Sequence, residues 1–182
     1  MLFDQALKQG LPPDGVLLVV DVPTQRLLAC TRRGVWRVFR ISTAARGLGS
    51  RPGSYATPPG WHRVAHRLGA GAPPGQVFRS RRRTRRVLPP AAWRSAGNED
   101  LILTRILWLA GLEPGVNRGA GVDTQARFIY LHGTNHEQRL GEPVSHGCIR
   151  LGNRAIIALF AWIGRRETWC WIGEQEKKNA IH

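Results

Sequence analysis

A chain of 182 residues is one domain of ordinary size, long enough to bury a core without disulfide or metal staples. At 42% hydrophobic and 21% charged it is not a disordered chain, and three cysteines do not make a disulfide framework. The formal charge of +15 is almost wholly arginine, with lysine only at Lys8, Lys177 and Lys178, and it speaks of association with anions rather than of fold.

The longest apolar runs, such as residues 16–20, are far too short to span a bilayer. The first thirty residues show no charged start followed by an apolar stretch and a small-residue cleavage site, so no secretory signal is visible. Residues 16–21 form a continuous apolar run with β-branched members, which predicts a buried strand. A turn at Pro23-Thr24-Gln25, a strand over 26–31 and a second turn at Arg32-Arg33-Gly34 follow. Residues 35–41 alternate, with Val35, Arg37, Phe39 and Ile41 on one side and Trp36, Val38 and Arg40 on the other. Two reversals in a row predict an antiparallel meander. Gly and Pro punctuate a loop over 44–60, and 61–68 reads as a further strand.

Residues 69–100 read as a long excursion over one end of the domain, with little periodicity. It contains Arg79-Ser-Arg81-Arg82-Arg83-Thr-Arg85-Arg86, six arginines in eight residues. A run of this kind is either a polyanion-binding patch or a solvated arginine-rich loop. Nucleic-acid binding is not expected, because no aromatic residues interleave the run and no nucleic-acid fold is recognisable. Residues 101–109 lean to strand, 110–126 are Gly-rich loop, and 127–131 read as a short aromatic strand. One helix is predicted near the C-terminus: Asn153 as N-cap, Ile156, Ile157, Phe160 and Ile163 at helical spacing, and Gly164 as the stop. Residues 168–172 close as a strand. The pattern is mainly β with one C-terminal helix and long loops, a sandwich or barrel-like sheet rather than βαβ winding.

The chemistry concentrates in His132-Gly133-Thr134-Asn135-His136 and, after eight intervening residues, Ser145-His146-Gly147-Cys148-Ile149-Arg150. A thiol with a free pKa near ~8.5 needs a nearby base to become a nucleophile at neutral pH, and His132 is the candidate. Gly147 permits a tight turn that aims amide N–H groups around Cys148 at a developing oxyanion. Two other readings compete. The His and Cys residues could hold zinc, although no C-x-x-C pair is present and the His132/His136 pair lies in loop sequence. Cys148 could also be a buried structural thiol, which its polar, Gly-rich surroundings disfavour.

At these residues the sequence resembles the catalytic domain of the L,D-transpeptidase (YkuD-like) family. The His-Gly-Thr and Ser-His-Gly-Cys-Ile-Arg motifs carry the resemblance. Val19-Val20-Asp21-Val22 with Gln25-Arg26-Leu27 looks like its opening hairpin, and Ser42-Thr43 like the end of its third strand. Thr57-Pro58-Pro59-Gly60 looks like its Thr-Pro-x-Gly loop, and Arg127-Phe-Ile-Tyr130-Leu-His132 like the strand entering its catalytic histidine. The resemblance covers most of residues 16–173 and implies YkuD-like sheets with loops over the active site. It divides the chain into an N-terminal extension (1–15), the catalytic domain (16–173, with the 69–100 excursion) and a tail (174–182).

The family cleaves the terminal D-alanine from a peptidoglycan tetrapeptide stem, holds the acyl group as a cysteine thioester and passes it to an amine. The resemblance implies Cys148 as nucleophile and His132 as general base. It also implies the Gly133 carbonyl as orienter of the histidine and the Gly147 and Cys148 amides as oxyanion hole. Ser145, His146, Arg150 and Thr134 are assigned to substrate binding, while Arg150 alternatively forms a structural ion pair, for instance with Asp123. His136 is expected to be a loop residue. No cofactor and no metal are required, since a thiol, a base and an amide hole suffice for acyl transfer. Peptidoglycan stem peptides are the implied partners, carbapenems the implied covalent inhibitors, and cell-wall biogenesis and shape the implied role. Two alternatives remain: an L,D-carboxypeptidase or peptidoglycan hydrolase on the same site, and a non-catalytic basic binder of polyanions. The family works in the periplasm or cell envelope, whereas the missing signal leaves the cytoplasm open. Cys30 and Cys170 fall in predicted strands as small core residues that could pair if their strands adjoin.

Overall fold

The computed structural model describes residues 2–94, 97 and 99–174. A short helix, α1 (Leu2–Lys8), precedes strand β1 (Val16–Asp21), which is buried at all six positions. The two faces of β1 are covered differently, which explains its unbroken apolar sequence. Val16, Leu18 and Val20 point into the main core. Leu17 and Val19 meet Ala6, Leu11 and Trp61 on the outside, with Leu2 and Phe3 packed alongside. The sequence reading had only the C-terminal helix; α1 escapes it because seven residues show too little periodicity to register.

Strands β2 (Arg26–Thr31) and β3 (Gly34–Ser42) follow β1 as the antiparallel meander that the two turns imply. Next in the chain come β4 (Gly60–Leu68), β5 (Gln76–Arg79), β6 (Arg82–Val87), β7 (Ile102–Gly111), β8 (Tyr130–Gly133), β9 (Ile149–Leu151), α2 (Asn153–Ile163) and β10 (Thr168–Gly173). The sheet runs β4-β10-β1-β2-β3-β9-β8-β7, and β7 pairs again with β4, so eight strands close into a barrel-like ring. Among the strand pairs of this ring, β1–β10 and β8–β9 are parallel and the others antiparallel. Ile156, Leu159 and Ile163 of α2 join the residues that these strands turn inward, giving one continuous apolar core. Gly164 ends α2 with φ +54°, a conformation suited to glycine.

Four details depart from the sequence reading. The 69–100 excursion contains the hairpin β5–β6, which docks on the edge of β7 through Val77↔Leu103 and Phe78↔Ile102. Arginines on both faces of β6 erase the alternation that would have revealed it. The strand expected over 127–131 begins only at Tyr130, because Phe128 takes φ +56° and breaks the extended chain. The three-residue β9 was not anticipated. Asn153 does not cap α2; Gly152 does, and Asn153 is the first helical residue.

Cys30 and Cys170 pair with adjacent β1 residues, Leu17 and Leu18, from opposite sides. Successive residues of a strand face opposite ways, so Cys30 joins the outer cluster and Cys170 the inner core. Both are free and buried, with β1 between them.

Candidate active site

The parallel pairing of β8 with β9 builds the site. Leu131 lies beside Ile149, His132 beside Arg150, and Gly133 beside Leu151. Leu131, Ile149 and Leu151 belong to the core, so alternation turns His132 and Arg150 to the other face. One step back along the same two chains are Tyr130 and Cys148. The Tyr130 N–H donates to Cys148 Sγ at 3.4 Å, and the thiol faces the Phe128 carbonyl at 3.5 Å. Cys148 is half-buried against a second apolar cluster that includes Ala72, Phe78, Ile106, Tyr130 and Trp108. A half-buried thiol and a buried imidazole therefore share one face of one strand pair.

His132 is 3% exposed, and its Nδ1 lies 2.7 Å from the Gly133 carbonyl oxygen. A carbonyl only accepts, so Nδ1 carries the proton in the neutral ring and Nε2 keeps the free lone pair. Burial drives the His132 pKa down to about 4 against the opposing pull of the Gly133 carbonyl and Asp100. Burial likewise pushes Cys148 up to about 11, although the Tyr130 amide and the charges of Arg150 and Arg127 favour its thiolate. At neutral pH both groups are therefore uncharged, and the imidazole is in the form that accepts a proton.

The turn before Cys148 is tied on three sides. Ser145 Oγ donates to the Cys148 carbonyl at 2.6 Å and accepts the Gly147 N–H at 3.2 Å. Thr57 Oγ1 donates to the Gly147 carbonyl and accepts the Ala44 N–H, both at 3.0 Å. Gly147 takes φ +130°, which an L side chain rarely adopts. The Gly147 amide, one of the two oxyanion donors expected from sequence, donates to the Ser145 hydroxyl in the resting turn.

Arg150 is 4% exposed and paired with Asp100, not with Asp123. Asp123 instead accepts the Ala126 and Gly119 amides of its own loop. Arg150 is thus a buried structural ion pair rather than an open carboxylate receptor. His146 is exposed and its Nδ1 sits 3.2 Å from the same Asp100 oxygen. Burial opposes ionisation of Asp100, but the Arg150 and His132 charges and the hydrogen bonds from His146 and Arg150 outweigh it and hold its pKa below the carboxylate norm. Sequence reasoning missed Asp100; the signal was its place at the end of the only acidic pair, Glu99-Asp100, within the arginine-rich excursion. Thr134 is fully buried, its hydroxyl accepting the His136 N–H and its carbonyl accepting Asn153 Nδ2. It braces the loop rather than lining an open face. His136 turns away toward the Glu99 carbonyl, and among the described residues no three His, Cys, Asp or Glu side chains converge as metal ligands.

A family model described as the L,D-transpeptidase catalytic domain (YkuD) matches residues 15–172. The chain belongs to this family. Similar solved structures are an L,D-transpeptidase from Xylanimonas cellulosilytica (20% identity, TM-score 0.51, covering 95% of this chain and 70% of that one) and a cysteine-to-serine variant of the Enterococcus faecium L,D-transpeptidase (12%, 0.52, 88% and 50%). A third is the L,D-transpeptidase LdtMt1 in complex with imipenem (15%, 0.50, 88% and 59%). At these identities the likeness is one of fold. A candidate L,D-transpeptidase of Bacillus subtilis, YqjB, is 45% identical over 40 residues, 22% of this chain and 23% of that protein. The chain thus spans well under two thirds of several of these relatives. Its mainly β barrel-like sheet with two helices is the fold of this enzyme family. Among the described residues no helix is long and apolar enough to cross a membrane.

Proposed function

We propose that this enzyme is a cysteine acyltransferase acting on peptidoglycan stem peptides, with Cys148 as nucleophile and His132 as general base. The observation that carries the reading is the neutral His132, its Nδ1 held by the Gly133 carbonyl, on the same strand-pair face as the half-buried Cys148. In this reading the thiol proton passes to Nε2 of His132 as sulfur attacks the stem carbonyl. The Cys148 amide stabilises the oxyanion. The terminal D-amino acid leaves with the proton returned from His132, and a thioester remains. An incoming amine then gives its proton to His132, attacks the thioester and restores the thiol. A barrier built on two uncharged groups suits a site in which burial makes a resting ion pair costly.

The solved relative with imipenem supports a thiol-reactive β-lactam as probe. Incubation with imipenem is expected to add one inhibitor mass to the intact protein, and none to Cys148→Ala. On a muropeptide digest the wild type is expected to yield 3→3 dimers, whereas tripeptide alone would assign the enzyme to hydrolysis. Active protein with no adduct, or an adduct that survives Cys148→Ala, would overturn the assignment.

A further inference from the structure

We propose that Arg81, at the tip of the β5–β6 hairpin, is the receptor for a substrate carboxylate beside Cys148. The choice of a stem-peptide carboxylate as ligand rests on the function proposed above; the anion-receptor role itself rests on geometry. Two guanidiniums, Arg150 and Arg127, act on the thiol by their charge, and a third, Arg81, stands on the aromatic residues packed beside it. Arg150 is buried in its pair with Asp100. Arg127 donates to the Gly49 and Ala56 carbonyls and to Ser54 Oγ at 2.7–3.2 Å, pinning the 49–56 loop. Arg81 alone is held mainly by aromatic faces: its guanidinium carbon lies 4.6 Å from the Phe128 ring centroid and 5.1 Å from that of Trp108. Its charge also favours ionisation of the Tyr130 hydroxyl, against the burial that raises that group's pKa. It forms no ion pair among the described residues. Stacking on aromatic faces leaves in-plane N–H donors of a guanidinium free, which is the geometry that takes a carboxylate.

Two of these supports reach Cys148 directly. The Phe128 carbonyl faces its thiol and the Tyr130 amide donates to its sulfur. The backbone adds a second, independent sign. Ser80 and Arg81 take φ +46° and +67°, and Phe128 takes +56°, all left-handed and none of them glycine. A two-residue hairpin tip of this kind ordinarily uses Asn-Gly. Strained non-glycine residues meeting beside a reactive thiol are the pattern expected where a side chain, rather than an easy turn, has been kept.

The test compares alkylation by iodoacetate and iodoacetamide, which differ in carrying a carboxylate or a neutral amide. In both, sulfur attacks the CH₂, an S–C bond forms, iodide leaves with the C–I pair, and the thiol proton passes to His132 or buffer. A single added group in the intact mass, absent from Cys148→Ala, confirms Cys148 rather than Cys30 or Cys170 as the site. Arg81→Gln is expected to lower the iodoacetate-to-iodoacetamide rate ratio by about 10-fold, the order of one charge-assisted pair. The iodoacetamide rate itself should stay within about two-fold, marking an intact thiol site. Arg81→Lys should fall between, keeping charge without the planar fork. Arg79→Gln removes a neighbouring hairpin charge and should leave the ratio unchanged. An unchanged ratio in Arg81→Gln, or an equal drop in Arg79→Gln, overturns the proposal. A wild type that shows the ratio effect but never acylates on a stem tetrapeptide refutes the substrate reading and leaves the anion receptor standing.

Discussion

At Gly133 the chain has no volume for a side chain. A Cβ built there would lie 2.5 Å from Asn153 Oδ1 and 2.8 Å from the Leu103 carbonyl oxygen. The same residue offers its carbonyl to His132 Nδ1, so its packing and the orientation of the imidazole are one constraint. Neither neighbour is the free end of a flexible chain: one is backbone, and the other is held at the start of α2 by Thr104 and Glu137. Gly133→Ala is therefore expected to cost about 1–3 kcal/mol, the usual cost of overpacking a filled site. Urea unfolding measures it. A midpoint unchanged from wild type would show that β8 and α2 separate more easily than this contact implies. Gly147 differs in kind, since there the backbone angle rather than lack of space requires glycine.

At the scale of elements, Asn153 is the joint between α2 and the strands that carry the site. Its backbone N–H and Nδ2 both reach Glu137 Oε1, at 2.6 and 2.9 Å, its Nδ2 reaches the Thr134 carbonyl at 2.7 Å, and its Oδ1 accepts from Thr104 Oγ1. Thr104 Oγ1 in turn accepts the Gly75 amide, linking the β5 approach to the same joint. Asn153→Ala leaves the buried Thr134 carbonyl and Thr104 hydroxyl without this partner, an expected loss of about 1–3 kcal/mol. The same variant is expected to lower the unfolding midpoint while keeping the iodoacetamide rate at Cys148 within about two-fold of wild type, both measured on one preparation. The sequence placed α2 well because Ile156 and Ile163 repeat at helical spacing, but it could not see that the polar residue at the helix start points sideways into the sheet instead of capping. The meander was legible because its turns and apolar runs are local. The β5–β6 hairpin and β9 were not, the first because Arg79, Arg82 and Arg83 look alike on either face, the second because three residues define no period. His132 and Cys148 stood out by motif. Asp100 and Arg81 did not, since they meet the site through tertiary packing alone.

For the whole molecule, two buried histidines make stability depend on acid. His62 is fully buried on the core side of β4 beside Cys170, its Nδ1 3.0 Å from the Gly60 carbonyl and its Nε2 3.1 Å from Thr124 Oγ1. The Gly60 carbonyl can only accept, so neutral His62 takes its second hydrogen bond from the Thr124 hydroxyl, and a proton on the ring would have to be carried at a site shut off from water. Burial lowers His62 to about 4, as it does His132. Unfolded, each would titrate near 6.5. Between about pH 6.5 and 4 the unfolded chain therefore binds more protons than the folded one, and stability falls as pH is lowered through that window. From pH 7 to 5 the loss is about 2 kcal/mol per histidine by linkage. The +15 charge pushes the same way, because protonating carboxylates at lower pH increases self-repulsion. Added salt screens that second effect but scarcely touches desolvation of buried rings. Urea titrations at pH 7 and 5, in low and in high salt, are thus expected to keep a loss of about 4 kcal/mol after screening, with His62→Asn removing about half of it. A difference that salt abolishes would assign the acid sensitivity to the arginine surface instead. One that His62→Asn leaves whole would return it to His132 and the carboxylates around Arg150.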